Sequence, residues 1–400
     1  MVGYVFGMLS RIADASLSVQ KDMIMHRLFI FLIGFLLCLP SLPGLAQEQY
    51  DQTLTITAVG DIMMGTTYPA PLLPPQDGKG IFDAVKGLLQ GADILFGNLE
   101  GPLLDEGETT KCKKPGKTCY AFKTPLRYAA YLKDAGFSAL HIANNHASDF
   151  GREGIESTIS TLAAAEIQPV GGKAIARYTI KGRRIAVAGF FYFETPYAYS
   201  MLKTVEAAKI VRSLKETNDL VVVSFHGGAE GSAFQHVADK NEEFLGEDRG
   251  NVVAFAHAVI DAGADLVLGH GPHVLRALEV YRGKLIAYSL GNFLVYERFN
   301  LDGPNGLSVA LKVRLDAATG DFQEGELLPV KLGTQGIPVP DSSGKAIALI
   351  RNLTKQDIKD PGLIITEDGV IRLKGGKMRP APYSATTVSA VTGTSESDCH

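Results

Sequence analysis

Short apolar segments alternate with longer helical patterns from about Thr53 to Arg314, and this alternation limits the fold more than any other feature of the sequence. The short apolar segments have the length and composition of buried strands. The longer segments between them repeat apolar residues at helical spacing. The predicted strands are Leu54–Val59, Asp93–Phe96, Ala139–Ile142, Ile185–Gly189, Leu220–Phe225, Leu266–Leu268, Leu285–Tyr288 and Leu307–Leu315. The predicted helices are Phe82–Leu89, Pro125–Ala135, Gly154–Ala165, Val205–Glu216 and Val252–Ala262. Strands and helices in alternation predict an α/β fold.

A polar cluster follows nearly every predicted strand between Leu54 and Tyr288, at its carboxyl end. The clusters are Gly60-Asp61, Gly97-Asn98-Leu99-Glu100, Asn144-Asn145-His146, His226, Gly269-His270 with His273, and Ser289-Leu290-Gly291-Asn292. Ligands of α/β proteins bind at this edge of the sheet. Carboxylates, carboxamides and imidazoles together are ligands that manganese, iron and zinc accept, and their number fits two divalent ions.

Each cluster also has a simpler explanation when it is taken alone. A Gly-Asp pair after a strand is most often a turn, and Asn144 is a suitable N-cap for the helix that follows it. Several such clusters, each at a strand end, favour a metal centre over a set of unrelated turns.

The order of these residues resembles the motif pattern of the calcineurin-like metallophosphatases. The residues that carry this resemblance are Gly60-Asp61, Asn145-His146 with Asp149, His226, and Gly269-His270 with His273. The spellings that resemble poly-gamma-glutamate capsule-biosynthesis proteins of the CapA type are Asn98-Leu99-Glu100, Ala143-Asn144-Asn145-His146 and Tyr288-Ser289-Leu290-Gly291-Asn292-Phe293. The resemblance covers roughly Thr53 to Gly336. It implies a layered α/β/β/α sandwich, in which two sheets pack between helices.

The resemblance also implies a role for each matching residue. Asp61 and His273 would bind a first metal ion, Glu100 would bridge the two ions, and the second ion would be held by Asn145, His226 and His270. His146 would be a general acid or would hold the leaving oxygen, with Asp149 orienting its ring. The sequence departs from the pattern of the calcineurin-like metallophosphatases at Met63, where a histidine is usual. A thioether is a poor ligand for these ions, so the first site lacks a donor.

The N-terminal part predicts export. Met25-His26-Arg27 precedes an apolar run from Leu28 to Leu39, and Gly44 and Ala46 lie before a suitable cleavage site. This arrangement is typical of a secretory signal peptide over residues 25–46, with an uncleaved membrane anchor as the alternative. We therefore expect a periplasmic or cell-surface protein. It would contain one domain over 53–336, an extension over 337–375 and a disordered tail over 376–400.

Two smaller groups of residues have alternatives that the sequence leaves open. Cys112 and Cys119 would form a disulfide in an oxidising compartment, or remain free thiols. Glu230 and Asn292 would support the metal ligands, or only form turns and caps. His141 and His257 lie in apolar surroundings, where a histidine is more often a core residue than a ligand.

The sequence and its resemblance together favour an exported, metal-dependent hydrolase with a phosphoesterase-like centre of two metal ions. It would act in the synthesis or handling of a surface polymer such as poly-gamma-glutamate, on an anionic polymer or a phosphorylated substrate. The alternative is a non-catalytic partner of a membrane synthase complex that binds or exports the polymer. A nucleotidase is a weaker alternative, because no second, base-stacking domain is evident. The net charge of −4 provides no basic field for nucleic acid.

Overall fold

The computed structural model describes residues 53–109, 111–112, 120–297 and 299–375. The predicted signal peptide (25–46) and the predicted disordered tail (376–400) lie outside these residues. In the part of the chain that is described, no helix has the length and apolar character needed to cross a membrane.

Nineteen strands and six α-helices form the described part of the chain. The strands are β1 Thr53–Met63, β2 Ile94–Leu99, β3 Ala139–His141, β4 Gln168–Val170, β5 Ala176–Ile180, β6 Arg183–Phe191, β7 Tyr199–Ser200, β8 Leu220–His226, β9 Glu242–Phe244, β10 Glu247–Gly250, β11 Leu266–His270, β12 Leu278–Tyr281, β13 Lys284–Ala287, β14 Asn292–Val295, β15 Leu307–Asp316, β16 Phe322–Leu332, β17 Pro338–Pro340, β18 Leu363–Ile365 and β19 Val370–Leu373. The helices are α1 Lys86–Leu89, α2 Ala129–Ala135, α3 Gly151–Ala164, α4 Thr204–Thr217, α5 Val252–Asp261 and α6 Lys345–Asp357.

These strands form two mixed sheets and one separate hairpin. The first sheet has the order β18-β19-β16-β15-β1-β2-β3-β4, with β14 paired to β1 and β17 to β16. The second has the order β12-β13-β11-β8-β6-β5, with β7 paired to β6, and β9 and β10 form the hairpin. Strands β1 to β4 run parallel, as do β6, β8, β11 and β13, so their carboxyl ends point the same way within each sheet.

The sheets pack face to face, and helices cover their outer faces. The core between the sheets includes Leu54, Ile56, Phe96, Val187, Val222 and Leu266. Helices α2 and α3 cover the outer face of the first sheet, where Leu132 and Leu162 pack with Leu95 and Leu140. Helices α4 and α5 cover the second sheet in the same way, through Val211, Val259, Val221 and Val267. The predicted α/β/β/α layering is therefore confirmed.

Residues 337–375, which the sequence separates as an extension, add to the first sheet. Strand β17 pairs with the C-terminal end of β16, and β19 pairs with the N-terminal part of β16. Strand β18 pairs with β19 and forms the edge of the sheet. Helix α6 buries Ala346, Ile347 and Ile350 in the core between the sheets. The segment thus shares the core of the domain before it.

The segment predicted as one helix over Phe82–Leu89 is mostly turns, with a single helical turn at α1. Its apolar residues Phe82, Val85 and Leu89 are buried, as a helix would bury them. Successive turns can bury the same spacing of residues, and the glycines that flank and interrupt the segment favour turns over a continuous helix.

Candidate metal centre

The predicted site residues converge where the carboxyl ends of the two sheets meet. Asp61 and Asn98 are register partners on β1 and β2 of the first sheet. His226 and His270 are register partners on β8 and β11 of the second. Parallel pairing places each pair side by side at its sheet edge, which is where α/β folds bind ligands.

Strand β1 reaches the site because it changes partners near its end. It pairs with β15 up to Ala58 and with β14 from Asp61 onward. The Asp61 N–H donates to the carbonyl of Gly291 at 2.9 Å. A Cβ on Gly60 would lie 1.9 Å from that same carbonyl oxygen, so only glycine permits the approach.

Asp61, Glu100 and His273 form the tightest group of candidate ligands, with one ligand atom from each lying within 4.8 Å of the others. His273 Nδ1 lies 3.0 Å from Asp61 Oδ2, and His273 Nε2 lies 3.5 Å from Glu100 Oε1. His270 Nδ1 lies 3.5 Å from Asp61 Oδ1. Both carboxylates are almost completely buried.

His273 has a strained backbone that Asn292 stabilises. Its φ of 58° lies in the left-handed region, which costs a non-glycine residue about 1–2 kcal/mol. Asn292 Oδ1 lies 3.1 Å from His273 Nδ1, and Asn292 Nδ2 donates to the His273 carbonyl at 3.2 Å. Once the ring is neutral, an Nδ1–H donated to this carboxamide would leave the lone pair on Nε2, as a metal ligand requires.

Asn98 is a site residue that the sequence analysis did not select. Its Nδ2 donates to Asp61 Oδ1 at 2.8 Å and lies 3.3 Å from His226 Nδ1, while its Oδ1 accepts from Asn144 Nδ2 at 3.0 Å. It therefore joins the two sheets at the centre of the site. Its position in the polar cluster after the second predicted strand, two residues before Glu100, is the signal in the sequence that could have indicated it.

Asn144 forms hydrogen bonds within the site and does not cap a helix. Its Oδ1 accepts the N–H of His146 at 3.2 Å, and its Nδ2 also donates to the Leu99 carbonyl at 2.8 Å. Helix α3 begins at Gly151, so the alternative that Asn144 is its N-cap is wrong. The neighbouring Asn145 has a buried Oδ1 without a hydrogen-bond partner among the described residues.

The atoms left without hydrogen bonds are what a cation site requires. Among the described residues, the buried unpartnered atoms at the site are Asp61 Oδ2, both Glu100 oxygens, Asn145 Oδ1, His226 Nε2 and both ring nitrogens of His270. A buried polar atom without a partner costs about 1–3 kcal/mol. Oxygen and imidazole nitrogen donors in this mixture fit divalent transition metal ions.

The charges of the site point the same way. Burial acts to raise the pKa of Asp61, but His270 and His273 lower it well below its usual range. Burial raises the pKa of Glu100 to about 8. Burial acts to lower the pKa of His273, yet Glu100 and Asp61 raise it to about 10. Burial also lowers the pKa of His226 well below its usual value. Burial therefore keeps a proton on Glu100 above pH 7, and the neighbouring carboxylates keep one on His273.

His146 and Asp149 form a hydrogen-bonded pair beside this group. His146 Nδ1 lies 2.8 Å from Asp149 Oδ2, which also accepts the N–H of Phe122 at 2.7 Å. Lys111 forms an ion pair with Asp149 Oδ1, and its Nζ donates to the Asn145 carbonyl at 3.2 Å. Burial lowers the pKa of His146 against the opposing effect of Asp149. No pattern in the sequence indicates a role for Lys111.

The side chain of Met63 packs in an apolar cluster and does not join the polar group of the site. Its side chain is buried in an apolar cluster with Phe122, Val295 and Leu332, and its sulfur accepts the N–H of Gly65 at 3.3 Å. Met63, which stands where the resemblance would place a histidine, is therefore an apolar packing residue in this chain.

The two histidines that the sequence predicts as core residues, His141 and His257, have different surroundings. His141 is fully buried beneath the site, its Nε2 is 2.8 Å from the Ala143 carbonyl, and burial lowers its pKa to about 3. His257 lies 3.0 Å from Glu279 and stacks on the ring of Tyr281.

Cys112 is disulfide-bonded, while Cys119, its predicted partner, lies outside the described residues.

Solved structures similar to the chain include calcineurin-like phosphoesterase YfkN from Bacillus subtilis, at 13% identity and a TM-score of 0.38, covering 77% of this chain and 97% of that one. Another is purple acid phosphatase PPD1 from yellow lupin, at 10% identity and a TM-score of 0.34, covering 72% of this chain and 54% of that one. Likeness this weak does not assign an activity.

The sequence comparisons are stronger. The chain is 32% identical to capsule biosynthesis protein CapA of Bacillus anthracis, over 71% of each protein. It is 29% identical to PGA biosynthesis protein CapA of Bacillus subtilis, over 76% of this chain and 79% of that protein. Residues 55–297 match the family described as bacterial capsule synthesis protein PGA_cap. A match over more than half of the chain, together with these relatives, means that the chain belongs to the PGA_cap family of bacterial capsule synthesis proteins.

Proposed function

We propose that this protein is an exported, metal-dependent hydrolase that acts in the synthesis or handling of a capsular or surface polymer of the poly-gamma-glutamate type. The observation that carries the proposal is the set of buried donor atoms without hydrogen bonds where the two sheets meet. No apolar ligand would satisfy these atoms, and a hydrolase with a metal centre needs them unpaired before the metal binds.

Six side chains would hold two divalent ions of manganese, iron or zinc, and they are Asp61, Glu100, Asn145, His226, His270 and His273. Such ions supply Lewis acidity and a water nucleophile at neutral pH. The chain itself orients the ligands, through Asn98 on the carboxylate of Asp61 and Asn292 on the ring of His273.

His146 is the proposed proton-transfer residue. Its Nδ1 faces Asp149, so Nε2 is the atom that exchanges a proton with a leaving group. The lowered pKa of His146 makes its protonated form a stronger acid than an exposed imidazole. The ion pair of Lys111 with Asp149 and the ring of Phe122, centred 4.3 Å from the imidazole ring, fix this orientation.

The substrate class and the location are proposed on other grounds. Relatives named for capsule and PGA biosynthesis support an anionic polymer as the substrate, and the sequence of residues 25–46 supports export. N-terminal sequencing of the protein recovered from its host tests export. A mature N-terminus at Gln47 supports it, and an intact leader on cytoplasmic protein contradicts it.

Two measurements test the hydrolase. Elemental analysis of the purified protein is expected to give about two equivalents of transition metal, and less in Asp61→Ala and His226→Ala. Turnover on a panel of phosphate esters, carboxylate esters and γ-linked glutamyl peptides is expected to fall about 10²–10⁴-fold in His146→Ala, with metal content retained. A metal-loaded protein that is inert on the whole panel would refute the catalytic assignment.

A second candidate function is a non-catalytic partner that binds the polymer beside a membrane synthase. The apolar packing of Met63 favours it, because the first metal site receives no carboxylate or imidazole donor from that position. This candidate requires that binding of poly-gamma-glutamate and capsule function both survive His146→Ala. Loss of capsule function in that variant, with folding and polymer binding intact, would exclude it.

A further inference from the structure

The first metal site has too few ligands if only the residues identified above are counted. Asp61, Glu100 and His273 supply three donor atoms, and Met63 packs elsewhere. Transition metal ions at protein sites usually take four to six donors, and water occupies the open positions of catalytic sites. A further protein group near His273 would take one of these positions.

Glu230 is the described carboxylate that meets this requirement. Its Oε2 lies 3.9 Å from His273 Nε2, the same nitrogen that lies 3.5 Å from Glu100 Oε1. About one-fifth of its side chain is exposed, so it stands between the buried ligands and solvent.

The backbone around Glu230 is fixed on both sides. The Ala229 N–H donates to Glu242 at 2.8 Å, and the Ala229 carbonyl accepts from the buried Arg276 at 3.0 Å. The N–H of Gly231 donates to the Pro272 carbonyl at 2.9 Å. Glu230 is thus held against the loop that carries His273.

Arg249 occupies the other carboxylate oxygen. Its Nη1 lies 2.6 Å from Glu230 Oε1, and its guanidinium is centred 4.2 Å from the ring of Tyr192. Arg249 is almost fully buried and also pairs with Glu247 at 2.9 Å. Oε1 is therefore committed to Arg249, and Oε2 is the atom that remains directed toward His273.

We infer that Glu230 is a fourth protein ligand of the metal ion held by Asp61, Glu100 and His273, and that it takes the place of the donor that Met63 does not provide. Arg249 is its positioning residue. The inference rests on the proposed metal centre. It assigns Glu230 to metal binding, whereas a solely structural role would make it only the partner of Arg249.

Glu230→Gln tests the inference, and Glu247→Gln is its matched control. Each variant removes a carboxylate charge that pairs with Arg249, and neither changes the size of the side chain. Of the two glutamates, only Glu230 faces His273. Manganese binding to the full chain is measured by isothermal titration calorimetry and by electron paramagnetic resonance of the bound ion. The folding of each variant is checked by its melting temperature.

Glu230→Gln is expected to weaken one of the two manganese sites by about tenfold or more and to change the resonance spectrum, while Glu247→Gln binds as the wild type does. Equal binding by wild type and Glu230→Gln would overturn the inference and leave the metal centre standing. Equal weakening in both variants would also overturn it, because the effect would then act through Arg249. A wild-type chain that binds no manganese, iron or zinc would overturn the metal centre itself.

Discussion

Binding of divalent metal ions by this protein is expected to release about two protons at pH 7. A metal ligand must be deprotonated, and the metal-free site holds protons on two of its ligands. Burial raises the pKa of Glu100 to about 8, and the neighbouring carboxylates raise the pKa of His273 to about 10 against the effect of burial. Asp61, whose pKa lies far below its usual range, has no proton to release.

The pKa values give the size of the effect. At pH 7 a group with a pKa of about 8 is about nine-tenths protonated, and one with a pKa of about 10 is almost fully protonated. At pH 9 Glu100 is about one-tenth protonated and His273 about nine-tenths. Proton release therefore falls from about two to about one, and metal affinity rises about a hundredfold per pH unit near pH 7 but about tenfold near pH 9.

Calorimetric titration with manganese in a series of buffers measures this number directly. The slope of the observed enthalpy against the ionisation enthalpy of the buffer is the number of protons released. In Glu100→Gln the number is expected to fall by at least about one at pH 7, because the variant lacks the proton of Glu100 and also lacks one of the charges that raise the pKa of His273. A slope near zero at pH 7 in the wild type would refute the reasoning, because the ligands would then already be deprotonated.

Three further variants test other parts of the structure. Met63→Leu is expected to leave the metal content unchanged in elemental analysis, at a cost of less than about 1.5 kcal/mol; loss of an ion would make Met63 a ligand. Gly60→Ala places a Cβ against the Gly291 carbonyl, and urea denaturation is expected to show a loss of about 3 kcal/mol; an unchanged midpoint would contradict this clash. Arg276→Met leaves the largely buried carboxylate of Glu242 without its cation, at about 3 kcal/mol; a loss below about 1 kcal/mol in thermal unfolding would contradict that pairing.

The fold class and the convergence of the candidate ligands at one sheet edge could be predicted because both follow from local patterns. Buried strands have a short apolar signature, and the residue types after each strand can be read without knowing which strands are neighbours. Asp61, His226 and His270 were selected in this way, and each lies at the end of its strand.

Residues whose roles depend on pairing could not be predicted. Asn98 contacts the site because β1 and β2 pair in a shifted register beyond Ala58, and no single-sequence pattern gives that register. Lys111 and Arg249 lie on a loop and a hairpin without a strong apolar period. The packing of Met63 also needed the structure, because it depends on an apolar cluster whose members, such as Phe122, are distant in the sequence.

The two sheets contribute different kinds of ligand, and this division links metal binding to the stability of the fold. The first sheet carries the oxygen donors Asp61, Glu100 and Asn145, and the second carries the imidazoles of His226 and His270. Apolar side chains hold the sheets together along most of their common face, but at the carboxyl ends buried polar atoms without partners replace them. Ions bound there would join the sheets where apolar packing is absent. At a hundred times its dissociation constant, each ion would add about 2.7 kcal/mol to the free energy of unfolding. The same donors would therefore serve the chemistry and hold the two halves of the domain together.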